Sequence, residues 1–185
     1  MHKQICLESS RLQLKELDSS SAAAVLAYYQ QNSDFLAPWE SARDEEFYTV
    51  SEQQNQLLRD SREMAEGRLF KVWIYEKGKP SIIGFIALNN IVRGSFQSCH
   101  VGYKLAGQSI NQGLMTEGLE QVIRYAFTEL HLHRIEANIM PHNVRSMRVV
   151  EKLHFYHEGV AQKYLRINGT WEDHVHMVLR NHALE

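Results

Sequence analysis

The stretch "QSINQGLMTEGLEQVIRYAFTEL", from Gln108 to Leu130, joins a short polar loop to an amphipathic helix. The apolar stripe of this helix recurs at three- and four-residue spacing, at Leu119, Val122, Ile123, Ala126, Phe127 and Leu130. The start of a helix leaves about four backbone N–H groups free and carries a partial positive charge. When the preceding loop lacks bulky side chains, a phosphate can approach those groups. The stretch therefore fits either a phosphate-binding loop or an ordinary capped helix.

The segments that precede this helix predict one strand, two helices and a strand meander. Alternation of apolar and polar residues predicts the first strand at residues 11–17. An Ala-rich helix capped by Asp18 and a Gln-rich helix at about 45–66 follow, and residues 35–47 are interpreted as a loop. Three apolar runs separated by turn residues then predict the meander, at 69–76, 81–92 and 96–106.

The segments that follow the central helix complete an alternating pattern. A strand is predicted at 133–140, then a helix that begins at Asn143 as its N-cap, then two strands joined by the Asn168-Gly169 turn. The predicted order is β-α-α-β-β-β-α-β-α-β-β. It indicates an α/β or α+β fold in a single domain spanning residues 1–185, with a mixed sheet and helices on both faces.

The composition excludes several classes of function. The 185 residues carry a net charge of −2, so direct binding to nucleic acid or to an anionic membrane is not expected. The two cysteines, Cys6 and Cys99, match no metal or redox spacing. The N-terminal segment lacks the apolar core of a signal peptide, and no apolar run reaches the roughly 18 residues of a membrane span. A cytoplasmic protein with reduced thiols is therefore expected.

Two histidine pairs have the spacing that strand-borne metal ligands sometimes show. His131 and His133, like His174 and His176, are two residues apart, so each pair would share one face of a strand. We interpret them as surface and packing residues, and no metal site is predicted.

The loop itself reads Gln108-x-x-Asn111-x-Gly113. No Gly-Lys-Ser/Thr triplet is present, which argues against a P-loop, and no G-x-G-x-x-G follows a first strand, which argues against a dinucleotide-binding fold. Gly113 permits the close approach of a phosphate, and Asn111 tolerates left-handed backbone better than most residues. Taken alone, the loop does not decide between the two alternatives.

In its context, the loop resembles the phosphate loop of the GCN5-related N-acetyltransferase (GNAT) superfamily, Gln/Arg-x-x-Gly-x-Gly/Ala between a strand and a helix. "HRIEANIMPHNVRSMRVVEKLHF" resembles the next strand and the N-x-x-S-x-x-(V/L)-x-E-K-L-G-F helix of the branch that acetylates protein N-termini. "FLAPWESARDE", "NNIVRGSF" and "INGTWEDHV" extend the similarity over Phe35 to Val175. Asn111 and His154 depart from the pattern, since each stands where the family has glycine.

The resemblance implies the GNAT fold, a mixed and mostly antiparallel central sheet with helices on both faces. It also implies acetyl-CoA as cosubstrate and no metal. The strand "HVGYKLA" would pair with the pantetheine arm of CoA, and the loop backbone would hold the pyrophosphate. The CoA-binding residues expected from the resemblance are Val101, Gly102, Tyr103, Lys104, Leu105, Gln108, Asn111, Gln112, Gly113, Leu114, Met115, Asn138 and Asn143.

The resemblance also suggests catalytic residues. Ser146 matches the hydroxyl position from which related N-terminal acetyltransferases protonate the CoA thiolate, and a surface helix serine is the alternative. Glu40, in "PWE", is expected to act as a base or to dock the substrate beside Trp39 and Asp44, and a solvated acidic loop is the alternative. A protein α-amine has a pKa near ~7.7–8.0, so about a tenth is neutral at pH 7 and a weak base suffices.

The expected partners are CoA and the N-terminus of a ribosomal protein. Within the family, the similarity favours enzymes that acetylate the N-terminal alanine of small-subunit ribosomal protein S5, so the ribosome or its assembly intermediates are further candidate partners. The carboxylates of the loop that contains Glu40 and Asp44 would attract a cationic peptide N-terminus. Two alternatives remain open: an acetyltransferase for a small amine such as a polyamine or an antibiotic, and a ribosome-associated assembly factor with little catalysis.

Overall fold

The computed structural model describes residues 4–185, which contain eight strands and four α-helices. The strands are β1 (Cys6–Glu8), β2 (Leu12–Lys15), β3 (Phe70–Glu76), β4 (Ile82–Val92), β5 (Ser98–Leu105), β6 (Arg134–Ile139), β7 (Tyr156–Ile167) and β8 (Thr170–Arg180). The helices are α1 (Ala22–Leu36), α2 (Val50–Ala65), α3 (Leu114–Thr128) and α4 (Val144–Lys152). In these residues, no helix is both long and apolar enough to cross a membrane.

The strands form one open mixed sheet in the order β1-β2-β3-β4-β5-β6-β8-β7. β5 and β6 are parallel, whereas the other neighbouring strands pair antiparallel. This arrangement confirms the mixed, mostly antiparallel sheet expected from the sequence.

The two faces of the sheet carry separate cores, because successive side chains of a strand point to opposite faces. On one face, Leu12, Ile86 and Leu88 pack with Leu119 and Val122 of α3 in a core that also reaches α4. The other face is covered by α1 and α2, with residues that include Tyr28, Leu57, Trp73 and Phe85. The helices therefore lie on both faces, as the sequence predicted.

The sheet opens between β5 and β6. Their pairing covers Ser98–His100 with Arg134–Glu136 and ends there. β5 stays paired with β4 as far as Leu105, and β6 stays paired with β8 as far as Ile139. β5 thus stays beside β4 and β6 stays beside β8, so β5 and β6 diverge beyond His100 and Glu136.

The predicted loop at 35–47 is wrong over its first two residues. Helix α1 continues to Leu36, which is buried in the core. The side chain of Asn32 supports this last turn, because its Nδ2 donates to the carbonyl of Tyr28 and its Oδ1 accepts from the Gly107 N–H. The second of these hydrogen bonds spans 75 residues, so local helix propensity does not predict it.

The predicted Asn168-Gly169 turn is confirmed, and His154 adopts the conformation of the glycine that it replaces in the family pattern. Asn168 and Gly169 have φ of 48° and 86°, as a two-residue hairpin turn between β7 and β8 requires. His154, which follows α4, has φ of 64° and so adopts the left-handed conformation usual for glycine after a helix. The short strand β1 was not predicted.

Candidate functional site

A cleft of about 490 Å³ lies where β5 and β6 diverge. Its walls come from the separated strand ends at 101–105 and 137–140, from the first turn of α3, from one side of α4 and from the end of α1. Within residues 4–185, the backbone groups of β5 that face away from β4 have no strand partner there, so they can pair with an extended ligand.

The start of α3 forms one end of this cleft. The N-cap Gly113 has φ of 76° and Asn111 has φ of 60°, so both adopt the left-handed conformation. Gly113 supplies no side chain to cap the first turn, and residues 113–116 line the cleft. The predicted left-handed backbone of Asn111 is confirmed. This helix start has the free N–H groups and the close backbone access that a phosphate needs.

A network from the β1–β2 turn holds the loop in place. The guanidinium of Arg11 donates to the Gln112 carbonyl at 3.0 Å and lies 2.7 Å from the Glu117 carboxylate. That carboxylate also accepts from the Ser9 hydroxyl at 2.7 Å, the Ser10 hydroxyl at 2.9 Å and the Arg11 N–H at 2.8 Å. Partial burial acts to raise the pKa of Glu117, but these hydrogen bonds together lower it to about 2. The first turn of α3 is thereby tied to the edge of the sheet.

We expect Glu117→Gln to destabilise the protein by about 2 kcal/mol at pH 7, because it removes the charge on which four donors converge. The folded pKa of about 2 lies below the usual 4.5, so the ionised carboxylate stabilises the fold above pH 4.5. That contribution declines as the pH falls from 4.5 to 2. Urea unfolding of both proteins across this range measures it.

The control for this prediction is Glu120→Gln, which removes an exposed carboxylate from the same helix. It should leave the free energy of unfolding within about 0.5 kcal/mol of the parent. A Glu117→Gln deficit that does not shrink between pH 4.5 and pH 2 would contradict the electrostatic explanation.

The first turn of α4 faces β5 across the cleft. The Asn143 side chain caps α4 by accepting from the Ser146 N–H at 3.2 Å, which confirms the predicted N-cap. The Ser146 hydroxyl donates to the Tyr103 hydroxyl at 2.8 Å, and Tyr103 in turn donates to the Ser146 carbonyl at 2.9 Å. Burial raises the pKa of Tyr103 well above its usual value, although its hydrogen bond with Ser146 acts in the opposite direction. Two neutral hydroxyl groups therefore lie on this wall.

A family model described as an acetyltransferase (GNAT) domain matches residues 11–156. The chain belongs to the GNAT acetyltransferase family. It is 38% identical to the [ribosomal protein uS5]-alanine N-acetyltransferase of Escherichia coli strain K12, over 91% of this chain and 87% of that protein.

Two solved structures extend the comparison of this GNAT chain. A ribosomal-protein-S5-alanine acetyltransferase from Vibrio fischeri superposes with a TM-score of 0.93 at 33% identity, covering 98% of this chain and 99% of the other. RimJ from Mycobacterium smegmatis, solved in complex with CoA-disulfide, superposes with a TM-score of 0.88 at 27% identity, covering 94% and 83%. The GNAT fold expected from the sequence is confirmed.

The opposite face of the cleft in this acetyltransferase carries charged and aromatic groups. The Lys104 ammonium forms an ion pair with the Glu40 carboxylate, and both side chains are largely buried. Burial lowers the pKa of Lys104 to about 8. Arg43 lies 3.8 Å from the same carboxylate, and Trp39 lines the cleft with its ring centroid 5.6 Å from that of His142. Glu40 is thus placed at the cleft, with its charge offset by two cations.

Most of the residues predicted to form the site meet in the cleft. Those that line it are Trp39, Glu40, Val101, Gly102, Tyr103, Lys104, Leu105, Asn111, Gly113, Leu114, Met115, Asn138, Asn143 and Ser146. Gln108 and Gln112 are exposed and interact through the Gln112 side chain and the Gln108 carbonyl. Asp44 lies outside the cleft, where its carboxylate accepts from the Phe47 N–H at 3.0 Å.

The sequence interpretation missed several residues that line the cleft. Arg145, Arg148 and Lys152 project from α4, and His174 comes from β8. The three cations recur at spacings of three and four residues, which places them on neighbouring positions of one helix face. That spacing was a usable signal in the sequence, whereas the position of His174 depends on the order of the strands.

Proposed function

We propose that this GNAT chain transfers the acetyl group of acetyl-CoA to the N-terminal α-amine of a protein, with the N-terminal alanine of small-subunit ribosomal protein S5 as the acceptor. The observation that carries the proposal is the divergence of β5 and β6 beside the uncapped start of α3. Relatives whose names specify the same acceptor support the choice of substrate.

The residues of the cleft fit CoA. The free N–H groups at 113–116 suit the pyrophosphate, because a helix start carries a partial positive charge. The unpaired edge of β5 at 101–105 suits the pantetheine arm, which carries two amides. Arg148 and Lys152 line the cleft from α4 and would offset the charge of the remaining phosphate.

The chemistry is a direct attack of the amine on the thioester. The amine nitrogen forms a bond to the acetyl carbon, and the bond from that carbon to the CoA sulfur breaks. Ser146 is proposed to donate its hydroxyl proton to the departing thiolate, since its hydroxyl lies on the wall shared by β5 and α4. Trp39 and Glu40 are proposed to hold the acceptor, with Glu40 stabilising the cationic N-terminus.

The proposal is tested by measuring the transfer of ¹⁴C-labelled acetyl groups from acetyl-CoA to three acceptors. We expect a peptide that starts with alanine and contains internal lysines to take up one acetyl group, and the same peptide with a blocked N-terminus to take up none. Equal labelling of the two peptides would exclude preference for the α-amine. Faster labelling of spermidine would favour the small-amine alternative, and CoA binding without transfer to any acceptor would favour the assembly factor.

A further inference from the structure

His174 lies on β8, lines the cleft and has only 4% of its surface exposed. Its Nδ1 is 3.1 Å from the backbone carbonyl of Glu172. A carbonyl oxygen can only accept, so in the neutral ring the proton lies on Nδ1 and Nε2 has the lone pair. Among residues 4–185, the one hydrogen bond of the His174 ring is the contact at Nδ1. The backbone contact at Nδ1 thus holds the ring of a residue that lines the cleft, and it leaves Nε2 as the nitrogen that can accept a proton.

The register of the sheet places His174 and the Ser146 hydroxyl on opposite faces of the sheet. Asn138 pairs with His176, so these two side chains share a face, and alternation puts His174 on that face too. The same face carries Lys104 and Glu40, whereas Tyr103 and Ser146 belong to the face covered by α4. The divergence of β5 and β6 thus has a proton donor on one side and a proton acceptor on the other.

Glu40 is the competing acceptor on this face. Its carboxylate is paired with Lys104 and lies 3.8 Å from Arg43. A carboxylate held by cations is a weaker base, because the nearby positive charges favour its ionised form. The Nε2 of His174 has no such partner among residues 4–185, so it is the acceptor on this face that is not already paired.

We propose that His174 is the catalytic base of this enzyme, taking a proton from the incoming ammonium group; the proposal rests on the proposed function. The ammonium group has three protons. One passes to Nε2 of His174 before attack, one stays on the amide product, and one restores the Ser146 hydroxyl after Ser146 has given its proton to the CoA thiolate. His174 then releases its proton to solvent, so the cycle is balanced.

The other groups that face His174 are identified by the packing. The Tyr164 ring of β7 lies 5.5 Å from the His174 ring and 5.1 Å from that of His176, and the Tyr164 hydroxyl accepts from Asn138 Nδ2 at 3.3 Å. The Lys104–Glu40 ion pair lies on the same face of the cleft. Of these, Lys104 has a pKa of about 8, so each variant must be compared with the parent at the same pH.

The test compares kcat/KM of the parent and of His174→Gln for the Ala-starting peptide at pH 7 and pH 9. Without the base, only the neutral amine reacts, and this is about a tenth of the total at pH 7 and nearly all of it at pH 9. We therefore expect a deficit of about tenfold at pH 7 that falls below about twofold at pH 9. The CoA dissociation constant should stay within about twofold of the parent value, because the base does not contact the phosphate loop.

The matched control is His176→Gln, two residues along the same face but outside the cleft, which should change kcat/KM less than about threefold at either pH. A deficit in His174→Gln that is equal at pH 7 and pH 9, or no deficit, would overturn the proposal. The parent's rate tests the proposed function separately: no transfer to any amine would overturn that function and this proposal together.

A second measurement keeps the proposal testable if His174→Gln does not fold. Long-range ¹H–¹⁵N spectra of the parent distinguish the two ring nitrogens of each histidine. We expect His174 at pH 8 to carry its proton on Nδ1, with Nε2 unprotonated. A proton on Nε2 instead would overturn the proposal independently of activity.

Discussion

Replacing Gly113 by valine is expected to weaken CoA binding about 100-fold. Gly113 has φ of 76°, a conformation that a β-branched residue rarely adopts. The added side chain would also stand at the N-cap of α3, where the proposed pyrophosphate must approach the backbone closely. Calorimetric titration with CoA measures the loss of affinity directly and needs no acceptor substrate.

Gly67→Val is the matched control for backbone strain. Gly67 has φ of 71°, an added Cβ there meets nothing within 4 Å, and the residue lies outside the cleft. It should lower the free energy of unfolding as Gly113→Val does but keep CoA affinity within about twofold. Equal weakening by both variants would mean that lost stability explains the effect.

Asn111→Gly is the informative contrast in the same loop. Asn111 already has φ of 60°, so glycine can replace it without a change in backbone conformation. We expect the CoA dissociation constant to change less than about threefold. A larger change would show that the Asn111 side chain itself contributes to binding.

Replacing Ser146 by alanine is expected to lower kcat about 100-fold and to leave the CoA dissociation constant within about twofold. The hydroxyl donates to Tyr103 in the free protein and is proposed to donate to the departing thiolate during the reaction. Its loss leaves the thiolate unprotonated on leaving and so affects the chemical step. Release of free CoA thiol, followed with a thiol-reactive dye, gives the rate.

Two further variants complete the Ser146 prediction. Tyr103→Phe should lower kcat about tenfold, because Ser146 keeps its proton but loses the partner that orients its hydroxyl. Ser61→Ala, an exposed serine of α2, controls for the higher helix propensity of alanine and should leave kcat unchanged. A kcat for Ser146→Ala equal to the parent value would leave Ser146 as a surface helix residue.

The local patterns of the sequence determined most of the backbone. The loop at Asn111 and Gly113, the Asn143 cap and the Asn168-Gly169 turn were all predicted, because each depends on φ preferences or on a side chain that reaches a backbone group three residues away. The helix stripe of α3 was predicted for a similar reason, since periodicity reports which face is buried.

Tertiary structure decided which side chains meet in the site. Ser146 and Tyr103 are 43 residues apart, and the Glu117 carboxylate binds the Ser9 hydroxyl across 108 residues. The first contact lies where β5 diverges from β6, the second joins α3 to the β1–β2 turn, and the face that His174 occupies depends on β8 lying beside β6. Neither the strand order nor the register can be predicted from local sequence patterns. Both depend on how the whole chain packs two cores against one sheet.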